Sequence, residues 1–212
     1  MHKRFAIITP TIGRPVLKRC VESVRGQVIY DCHHIVVGDG PQEAWVGDYV
    51  RSMGSLYYEL PSRMRQSGTY CRNFALELIE STLSCDYVYF LDDDNMLFES
   101  AMHNVHHTAN KHGNPPMLYH EICYNNVYFT KYFILPRNMP PVQGDWDGMN
   151  GIYRTDVIRG MRWEPVYSHD FLFAQEVIKR VGHSNFVQVE GIAGVHFTAW
   201  DTLNSPDGQK TI

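Results

Sequence analysis

The sequence lacks any apolar run long enough to cross a membrane, and it lacks cysteine pairs spaced for a zinc site. A spanning helix needs about 20 mostly apolar residues, and no run in these 212 residues approaches that length. The five cysteines are odd in number, scattered and never arranged as CxxC, which indicates reduced thiols rather than a disulfide framework. The first residues also lack the apolar core of a secretory signal. We therefore expect a cytoplasmic protein without a membrane span.

Two common nucleotide-binding signatures are absent as well. No Walker-type glycine loop with Lys and Ser or Thr occurs, and no GxGxxG follows the first apolar run. The net charge of −4 argues against a nucleic-acid coat. Charge is nevertheless uneven, because residues 1–75 hold 10 Lys and Arg against 6 Asp and Glu, and residues 76–212 hold 9 against 17. An anionic ligand would meet its cations in the first third of the chain.

Three consecutive aspartates, Asp92 to Asp94, follow directly after the apolar run at 87–91. A run of β-branched and aromatic residues predicts a strand buried on both faces, with the carboxylates at its carboxyl end. Ligands bind at that edge of open α/β sheets. Since adjacent carboxylates repel one another, a hard divalent cation carrying a phosphate-bearing substrate would explain them. The alternative is a solvated turn with an aspartate capping the segment at 95–97.

Apolar runs alternate with segments of helical periodicity through the first half of the chain. This alternation predicts an α/β fold with a mostly parallel, doubly wound sheet flanked by helices. Its predicted strands lie at 5–8, 34–37, 56–60 and 87–91, and its helices begin near 16, 42 and 74.

The second half is less regular, and a small antiparallel element is expected there. Its predicted elements are a helix at 99–111, a hairpin of 117–123 and 127–135, a short segment at 155–161, a helix at 171–181, and closing strands at 186–189 and 192–197. No internal repeat is visible, so one domain over 1–212 is expected. We divide it into a nucleotide-binding half at 1–100, a donor-sugar and acceptor half at 101–204, and a linker or tail at 205–212. The chain could be one domain of a longer protein.

Polar residues at the ends of the first, second and fourth predicted strands should share one cleft. The carboxyl-edge rule brings together Thr9-Pro10-Thr11, Asp39 and the aspartate triplet. Arginines in and after the basic loop at 61–68 open near the same edge, and guanidinium groups suit phosphate oxygens. The sequence therefore predicts a nucleoside-diphosphate site.

Four segments in order, 8–16, 35–41, 71–76 and 89–95, resemble glycosyltransferases of the GT-A fold. Their order and spacing are similar to family-2 enzymes, and the first three segments with Asp-Asp-Asp-Asn are also similar to family-43 glucuronyltransferases. The resemblance covers residues 4–100 well and the remainder loosely. The ending and compactness resemble the transferase domain of a large-virus glycan enzyme, which would place the protein in a host cytoplasm.

This resemblance implies roles for individual residues around the nucleotide and its metal. Asp92 or Asp93 would bind the ribose, while Asp94 and His196 would coordinate Mn²⁺ or Mg²⁺. Ile12 stands where the glucuronyltransferases have an aromatic residue that stacks on the base. The implied nucleotide-binding residues are Thr9, Pro10, Thr11, Arg14, Asp39, Arg65 (or Arg63), Arg72, Asp92 and Asp93.

The later part of the resemblance implies the base and the sugar-binding residues. Family-2 enzymes carry a Glu-Asp pair before a helix, which corresponds here to His169 and Asp170, so Asp170 is the candidate base. The alternative for Asp170 is a helix N-cap. The loop at 144–151 would line the donor sugar and acceptor through Trp146, Asp147 (or Asp145) and Gly148, with His169 beside them. A surface loop with a buried tryptophan, and a structural role for His196, are the alternatives.

The implied activity is metal-dependent transfer of a hexose from a UDP-sugar to the hydroxyl of a glycan or glycoconjugate acceptor, with inversion. Alternatives are a retaining enzyme of the same fold, a sugar-1-phosphate nucleotidyltransferase and a non-catalytic nucleotide-sugar-binding module. A nucleic-acid acceptor is also open, because basic residues cluster in and just before the first predicted helix; the alternative is that they form a solvated helix face. These basic residues are Arg14, Lys18, Arg19 and Arg25.

Overall fold

A computed structural model describes residues 4–27, 31–125, 133–134, 141, 143, 146–182 and 184–197. Its strands are β1 (Phe5–Thr11), β2 (Cys32–Gly38), β3 (Leu56–Glu59), β4 (Tyr87–Phe90), β5 (Met96–Leu97), β6 (Met117–Asn125), β7 (Phe133–Ile134), β8 (Gly151–Arg154) and β9 (Phe186–Phe197). Its helices are α1 (Leu17–Arg25), α2 (Ala44–Ser52), α3 (Thr69–Ser81), α4 (Ala101–Lys111), α5 (Thr155–Ile158) and α6 (His169–Val181), with a 3₁₀ turn at Gly148–Asn150. No helix in the described ranges is long and apolar enough to cross a membrane.

The strands form one sheet in the order β3-β2-β1-β4-β8-β6-β9-β5, and β7 pairs with β6. The four strands of the first half run parallel, whereas β8 joins β4 and β6 in antiparallel orientation. β6 and β9 are parallel to each other, and β5 is antiparallel to β9. The α/β prediction, with a parallel first half and a smaller antiparallel element, is confirmed.

Helices cover both faces of the sheet, which explains why β1 and β4 are apolar without alternation. Ala6 and Ile8 of β1 belong to the hydrophobic cluster that includes residues of α3 and α6. Phe5 and Ile7 belong to the opposite cluster, which includes residues of α1 and α4. Because both faces of these strands are buried, polar residues of the parallel half come at the strand ends, where the chain leaves the core.

The carboxyl ends of β1, β2 and β4 lie side by side at one edge of the sheet. The Asp39 backbone N–H donates to the Thr11 carbonyl at 2.8 Å, and the Leu91 N–H donates to the Ile8 carbonyl at 3.0 Å. These bonds carry Asp39 and the residues after Leu91 to either side of the end of β1. The edge predicted from the sequence is therefore the edge that gathers the polar residues.

β1 continues to Thr11, three residues beyond the predicted strand, although it contains Pro10. Pairing with β2 persists to Thr11, whereas pairing with β4 ends at Ile8 and Phe90. Alternate residues of a strand face opposite neighbours, and the Pro10 nitrogen faces the side that β4 has already left. The missing N–H of Pro10 therefore removes no sheet hydrogen bond.

Most predicted elements of the second half are present with shifted bounds. The predictions do not include strands β5 and β8, and α6 begins at His169 rather than at 171. β7 pairs antiparallel with β6 as the predicted hairpin requires, but the rest of its second arm lies outside the described residues. The expected tail at 205–212 also lies outside them, and the division into two halves stays a prediction.

Candidate functional site

A cleft of about 310 Å³ opens at the shared carboxyl edge of β1, β2 and β4. We call it the first pocket. It is lined by Pro10, Thr11, Ile12, Arg14, Asp39, Ser67, Gly68, Asp92, Asp93 and Asp94.

Gly68 brings the start of α3 directly against β1 at this cleft. Its φ is +74°, and a Cβ added to it would lie 2.6 Å from the Cβ of Pro10. Only glycine combines this backbone conformation with so close an approach. The contact fixes the end of the basic loop against Pro10 and so defines one wall of the first pocket.

The middle and last aspartates share one arginine. Asp93 is 4 % exposed, accepts from the Thr11 hydroxyl at 2.6 Å and forms an ion pair with Arg14. The same Arg14 Nη2 lies 3.0 Å from Asp94 Oδ2. Arg19 Nη2 donates to the Asp94 backbone carbonyl at 2.5 Å, and its guanidinium lies 3.9 Å from the Phe197 ring centroid. The bend after β4 is therefore held from α1 and the loop before it.

The first aspartate pairs with a buried arginine from α3. Arg72 is 2 % exposed and forms an ion pair with Asp92, while its Nη1 donates to the Ser67 carbonyl at 2.6 Å. Its guanidinium lies 4.7 Å from the Trp163 ring centroid. The charges of Asp92 and Asp170 outweigh the opposing effect of burial and raise the pKa of Arg72. Arg72 therefore stays cationic between these carboxylates.

Negative charge at the aspartates exceeds what the arginines balance. Burial, and next the charge of Asp93, raise the pKa of Asp94 to about 6, even though Arg14 opposes the shift. Burial also raises the pKa of Asp147, with Asp170 and Asp92 adding to the effect against His196. A carboxylate whose ionised form is disfavoured in this way favours a further cation.

Asp39 organises the basic loop rather than standing free at the base of the cleft. Its two oxygens accept from the Met64 N–H at 2.7 Å and the Arg65 N–H at 3.0 Å. The loop needs this support because Arg65 and Ser67 both have positive φ, at 57° and 46°. The Arg65 side chain is exposed. Whether it reaches a diphosphate, and whether Asp39 accepts from uracil, stay predictions.

A second cavity of about 440 Å³ lies beside the first and shares Ser67 with it. We call it the second pocket. It is lined by Gln66, Ser67, Trp146, Pro165, Val166, Tyr167, Ser168, His169, Asp170 and Phe171.

His169 and Asp170 form an ion pair in the first turn of α6. His169 Nε2 lies 2.7 Å from Asp170 Oδ1. Burial alone would raise the pKa of Asp170, but the hydrogen bond and charge of His169, followed by Arg72 and His196, lower it. The N-cap of α6 is Ser168, which has φ +63°, so the alternative in which Asp170 is the cap is wrong.

Asp147 caps the 3₁₀ turn at Gly148–Asn150. Its Oδ1 accepts from the Met149 N–H at 2.9 Å, and its Oδ2 lies 3.4 Å from His196 Nε2. Trp146 lines the second pocket, and Gly148 is buried with open room at its α-carbon, where a Cβ would only touch Trp163 at 3.8 Å. Asp145 lies outside the described residues.

The residues around Asp94 fit a divalent cation that takes part of its ligands from a substrate. Within the described ranges, no three His, Cys, Asp or Glu side chains are grouped so that they could hold a metal by themselves. Asp94 nevertheless has a raised pKa, and the charge of His196 acts on it to lower that pKa. Mg²⁺ in particular is commonly held by one or two carboxylates together with substrate phosphates.

The structure corrects the prediction for Thr9. Its side chain is completely buried, and its hydroxyl lies 3.0 Å from His34 Nε2. Because β1 continues to Thr11, Thr9 is still inside the sheet. Its side chain packs against α1, with the Thr9 hydroxyl 3.8 Å from Cys20 Sγ. Thr9 therefore supports the strand instead of lining the first pocket, whereas Pro10 and Thr11 do line it.

Sequence reasoning missed three residues that hold the site together. Arg19 contacts the bend at Asp94. Asn73 binds the backbone of Trp163, and the ring of Trp163 in turn contacts Arg72. The only signal for Asn73 was its place beside Arg72 in the segment at 71–76. Trp163 gave no signal, because its partners come from three separate elements, β4, α3 and α6.

No protein-family model matches this chain, and no curated protein matches its sequence. Solved structures do resemble it. S. aureus TarS superposes with a TM-score of 0.71 at 16% identity, over 92% of this chain and 37% of that one. The fold is that of the GT-A glycosyltransferases.

Two further structures of TarS residues 1–349 carry nucleotides. The UDP complex superposes with a TM-score of 0.72 at 15% identity, over 92% of this chain and 61% of the other. The UDP-GlcNAc complex gives the same TM-score and identity, over 92% and 59%. This chain thus spans less than two thirds of each neighbour. At such low identity the likeness shows the fold alone.

Proposed function

We propose that this domain is a glycosyltransferase that moves a hexose from a UDP-sugar to the hydroxyl of a glycan or glycoconjugate acceptor. The observation that carries the proposal is the pair of adjoining pockets that share Ser67. One pocket contains aspartates and an arginine at the nucleotide edge of a GT-A fold, and the other contains a buried carboxylate. Donor and acceptor would meet between them. TarS structures with UDP and UDP-GlcNAc support the choice of donor class.

The first pocket would bind the nucleotide. Pro10 and Thr11 border it, Asp39 holds its loop, and Asp92 or Asp93 would accept from ribose hydroxyls. Arg14 and Arg72 would place positive charge near the diphosphate. Such preorganised charge stabilises the negative charge that develops on departing UDP.

Asp94 and His196 would hold Mn²⁺ or Mg²⁺ together with diphosphate oxygens. When bound, the cation would supply positive charge against the leaving diphosphate without any proton transfer. The raised pKa of Asp94 supports this assignment, because burial and the charge of Asp93 disfavour the ionised carboxylate, which a bound cation would stabilise.

Asp170 would act as the general base. Its lowered pKa keeps it ionised at neutral pH, and it lines the second pocket. The carboxylate would take the acceptor hydroxyl proton while that oxygen forms a bond to the anomeric carbon. The bond between the anomeric carbon and the UDP oxygen would break, and UDP would leave with the electron pair. Attack from the side opposite UDP gives inversion.

Titration calorimetry with UDP, with and without MnCl₂, tests the proposal most directly. We expect UDP to bind more tightly than CDP, GDP or ADP, and Mn²⁺ to strengthen UDP binding. A panel of UDP-hexoses should then show slow release of UDP, with water as acceptor. Proton NMR of the first-formed sugar product distinguishes inversion from retention. Absence of nucleoside-diphosphate binding at millimolar concentrations would overturn the proposal.

A further inference from the structure

Trp163 contacts groups from both pockets at once. One face of its ring lies 4.7 Å from the Arg72 guanidinium carbon, which pairs with Asp92 in the first pocket. Its ring also meets the His169 ring edge-on, with centroids 5.3 Å apart, beside the candidate base in the second pocket. The buried Trp163 indole therefore lies between Arg72 and the His169–Asp170 ion pair of α6.

Asn73 fixes Trp163 through its backbone. The Trp163 N–H donates to Asn73 Oδ1 at 2.7 Å, and Asn73 Nδ2 donates to the Trp163 carbonyl at 3.0 Å. The amide thus satisfies both backbone polar groups of a residue that lies 90 positions away in the chain. Because Asn73 follows Arg72 in α3, the same helix turn positions the arginine and the ring that it contacts.

The indole is not held by its own polar group. Trp163 is 3 % exposed, and its Nε1 has no hydrogen-bond partner among the described residues. Burying an unsatisfied N–H costs free energy that a phenylalanine would not incur. Aromatic packing against Phe173 at 4.8 Å and Phe90 at 4.8 Å would be available to phenylalanine too. The feature particular to tryptophan is its wide ring face, which is the strongest partner for a cation.

We propose that Trp163, held by Asn73, is a positioning residue that sets the His169–Asp170 pair relative to Arg72 and the nucleotide pocket. The inference rests on the proposed function and adds to it the device that aligns the base with the donor. Trp163 touches neither pocket's reacting atoms, so it acts through Arg72 and His169. Its loss should impair turnover and leave UDP binding intact, because the ion pair with Asp92 and the hydrogen bond to the Ser67 carbonyl still hold Arg72 at the first pocket.

Two substitutions loosen this arrangement in different ways. Asn73→Asp keeps the shape of the side chain but places an oxygen against the Trp163 carbonyl, where the two acceptors repel each other. Trp163→Phe keeps an aromatic ring and removes the unsatisfied N–H. Asn104→Asp is the matched control, because Asn104 on α4 donates to the Glu190 carbonyl at 3.1 Å on an exposed surface.

Each variant is measured for UDP affinity by calorimetry, for thermal unfolding, and for release of UDP from the UDP-hexose that the wild type hydrolyses fastest. We expect both Asn73→Asp and Trp163→Phe to lower turnover by about 10- to 100-fold, the scale of a misplaced catalytic group, with donor KM and UDP affinity unchanged. Asn104→Asp should match the wild type.

Three outcomes overturn the inference, and they are distinct from failure of the proposed function. Wild-type turnover in folded Trp163→Phe would show that Trp163 only fills the core. A parallel loss of UDP affinity and turnover would show that it supports the nucleotide pocket alone. An equal loss in Asn104→Asp would show an unspecific effect of added charge. Failure of the proposed function itself appears in the wild type, as absence of UDP binding and of turnover.

Discussion

The two pockets differ in the cations that accompany their carboxylates. In the first pocket, Asp92 pairs with Arg72, and Asp93 and Asp94 share Arg14. In and beside the second pocket, Asp170 lies 2.7 Å from His169, and Asp147 lies 3.4 Å from His196. Arginine stays charged at every pH of interest, whereas Asp170 and Asp147 face histidine ring nitrogens.

This difference indicates a division of labour within the proposed enzyme. Permanent positive charge suits a pocket that binds the same diphosphate under all conditions. In the second pocket, a proton must move from the acceptor to Asp170, and the contact with His169 lowers the pKa of that carboxylate against the effect of burial. The comparison predicts that binding and turnover can be separated by mutation and by pH.

The largest expected effect comes from removing the base. Asp170→Asn should lower turnover by about 10²- to 10⁴-fold. The reason is that an amide replaces the carboxylate that takes the acceptor proton in the proposed mechanism. UDP affinity, which depends on the first pocket, should be preserved. Release of UDP from a UDP-hexose and calorimetry measure the two quantities on the same sample.

Asp156→Asn is the matched control for this variant. Asp156 also lies in the first turn of a helix, and its Oδ1 is 2.7 Å from Arg154 Nε, but it is exposed and lies outside both pocket linings. It should turn over as the wild type does. Near-full turnover in folded Asp170→Asn would exclude Asp170 as the base and remove the proposed contrast between the pockets.

Removing the buried arginine of the first pocket should cost stability. Arg72→Ala leaves Asp92 and the Ser67 carbonyl without their partner and removes the contact with Trp163. We expect the free energy of unfolding to fall by about 2 to 4 kcal/mol. This value is at the lower end for a broken buried ion pair, because Asp92 keeps access to water. Urea unfolding at neutral pH measures it.

Arg154→Ala provides the comparison, because Arg154 pairs with Asp156 at the surface. Exposed pairs contribute about 0 to 1 kcal/mol, so this variant should be much less affected. Equal losses in the two variants would show that the charge of Arg72 contributes no more than an ordinary surface ion pair.

The sequence was sufficient for the parallel half of the fold and for the edge that carries the first pocket. The run at 87–91 is apolar because helices cover both faces of β4, and that pattern is visible without a structure. The carboxyl-edge rule then placed Asp39 and the aspartates together correctly. It could not orient Thr9, because the length of β1 depends on how far β2 stays paired with it.

Contacts between distant segments could not be predicted from the sequence. Trp163 is placed by Arg72 and Asn73 of α3, Phe90 of β4 and His169 of α6, which are three elements far apart in the sequence. Periodicity reports which face of an element is apolar, but it does not report which partner that face meets. Arg14 likewise reaches Asp93 and Asp94 across about 80 positions, a pairing that only the folded chain reveals.

A smaller effect of opposite sign is expected at Asp94. Its pKa rises from 3.8 to about 6 in the folded protein. Asp94 therefore costs no stability below pH 3.8, where it is protonated in both states. The free energy of unfolding falls as pH rises through 6, because the ionised carboxylate is disfavoured in the folded protein. At pH 7.5, Asp94→Asn should therefore raise the free energy of unfolding by about 1 to 3 kcal/mol. The same variant should lose the strengthening of UDP binding by Mn²⁺.

Asp48→Asn, an exposed aspartate on α2, should change neither quantity measurably. Urea unfolding across pH and calorimetry with MnCl₂ check both variants. A gain in stability together with a loss of metal dependence would mark Asp94 as a residue placed for ligand binding at the expense of the fold. Unchanged metal dependence would remove Asp94 from the proposed metal ligands.

The smallest effect concerns pH and separates the pockets most sharply. The hydrogen bond and charge of His169 lower the pKa of Asp170 against the opposing effect of burial. His169→Gln keeps a hydrogen-bond donor without the charge, so burial should then raise the pKa of Asp170. The acid limb of turnover should move to higher pH, because the base loses its negative charge earlier as pH falls. UDP affinity should keep the pH profile of the wild type, since His169 lines the second pocket and not the first. A shift of both profiles together would show that the two pockets form one electrostatic unit rather than an arginine site and a histidine site.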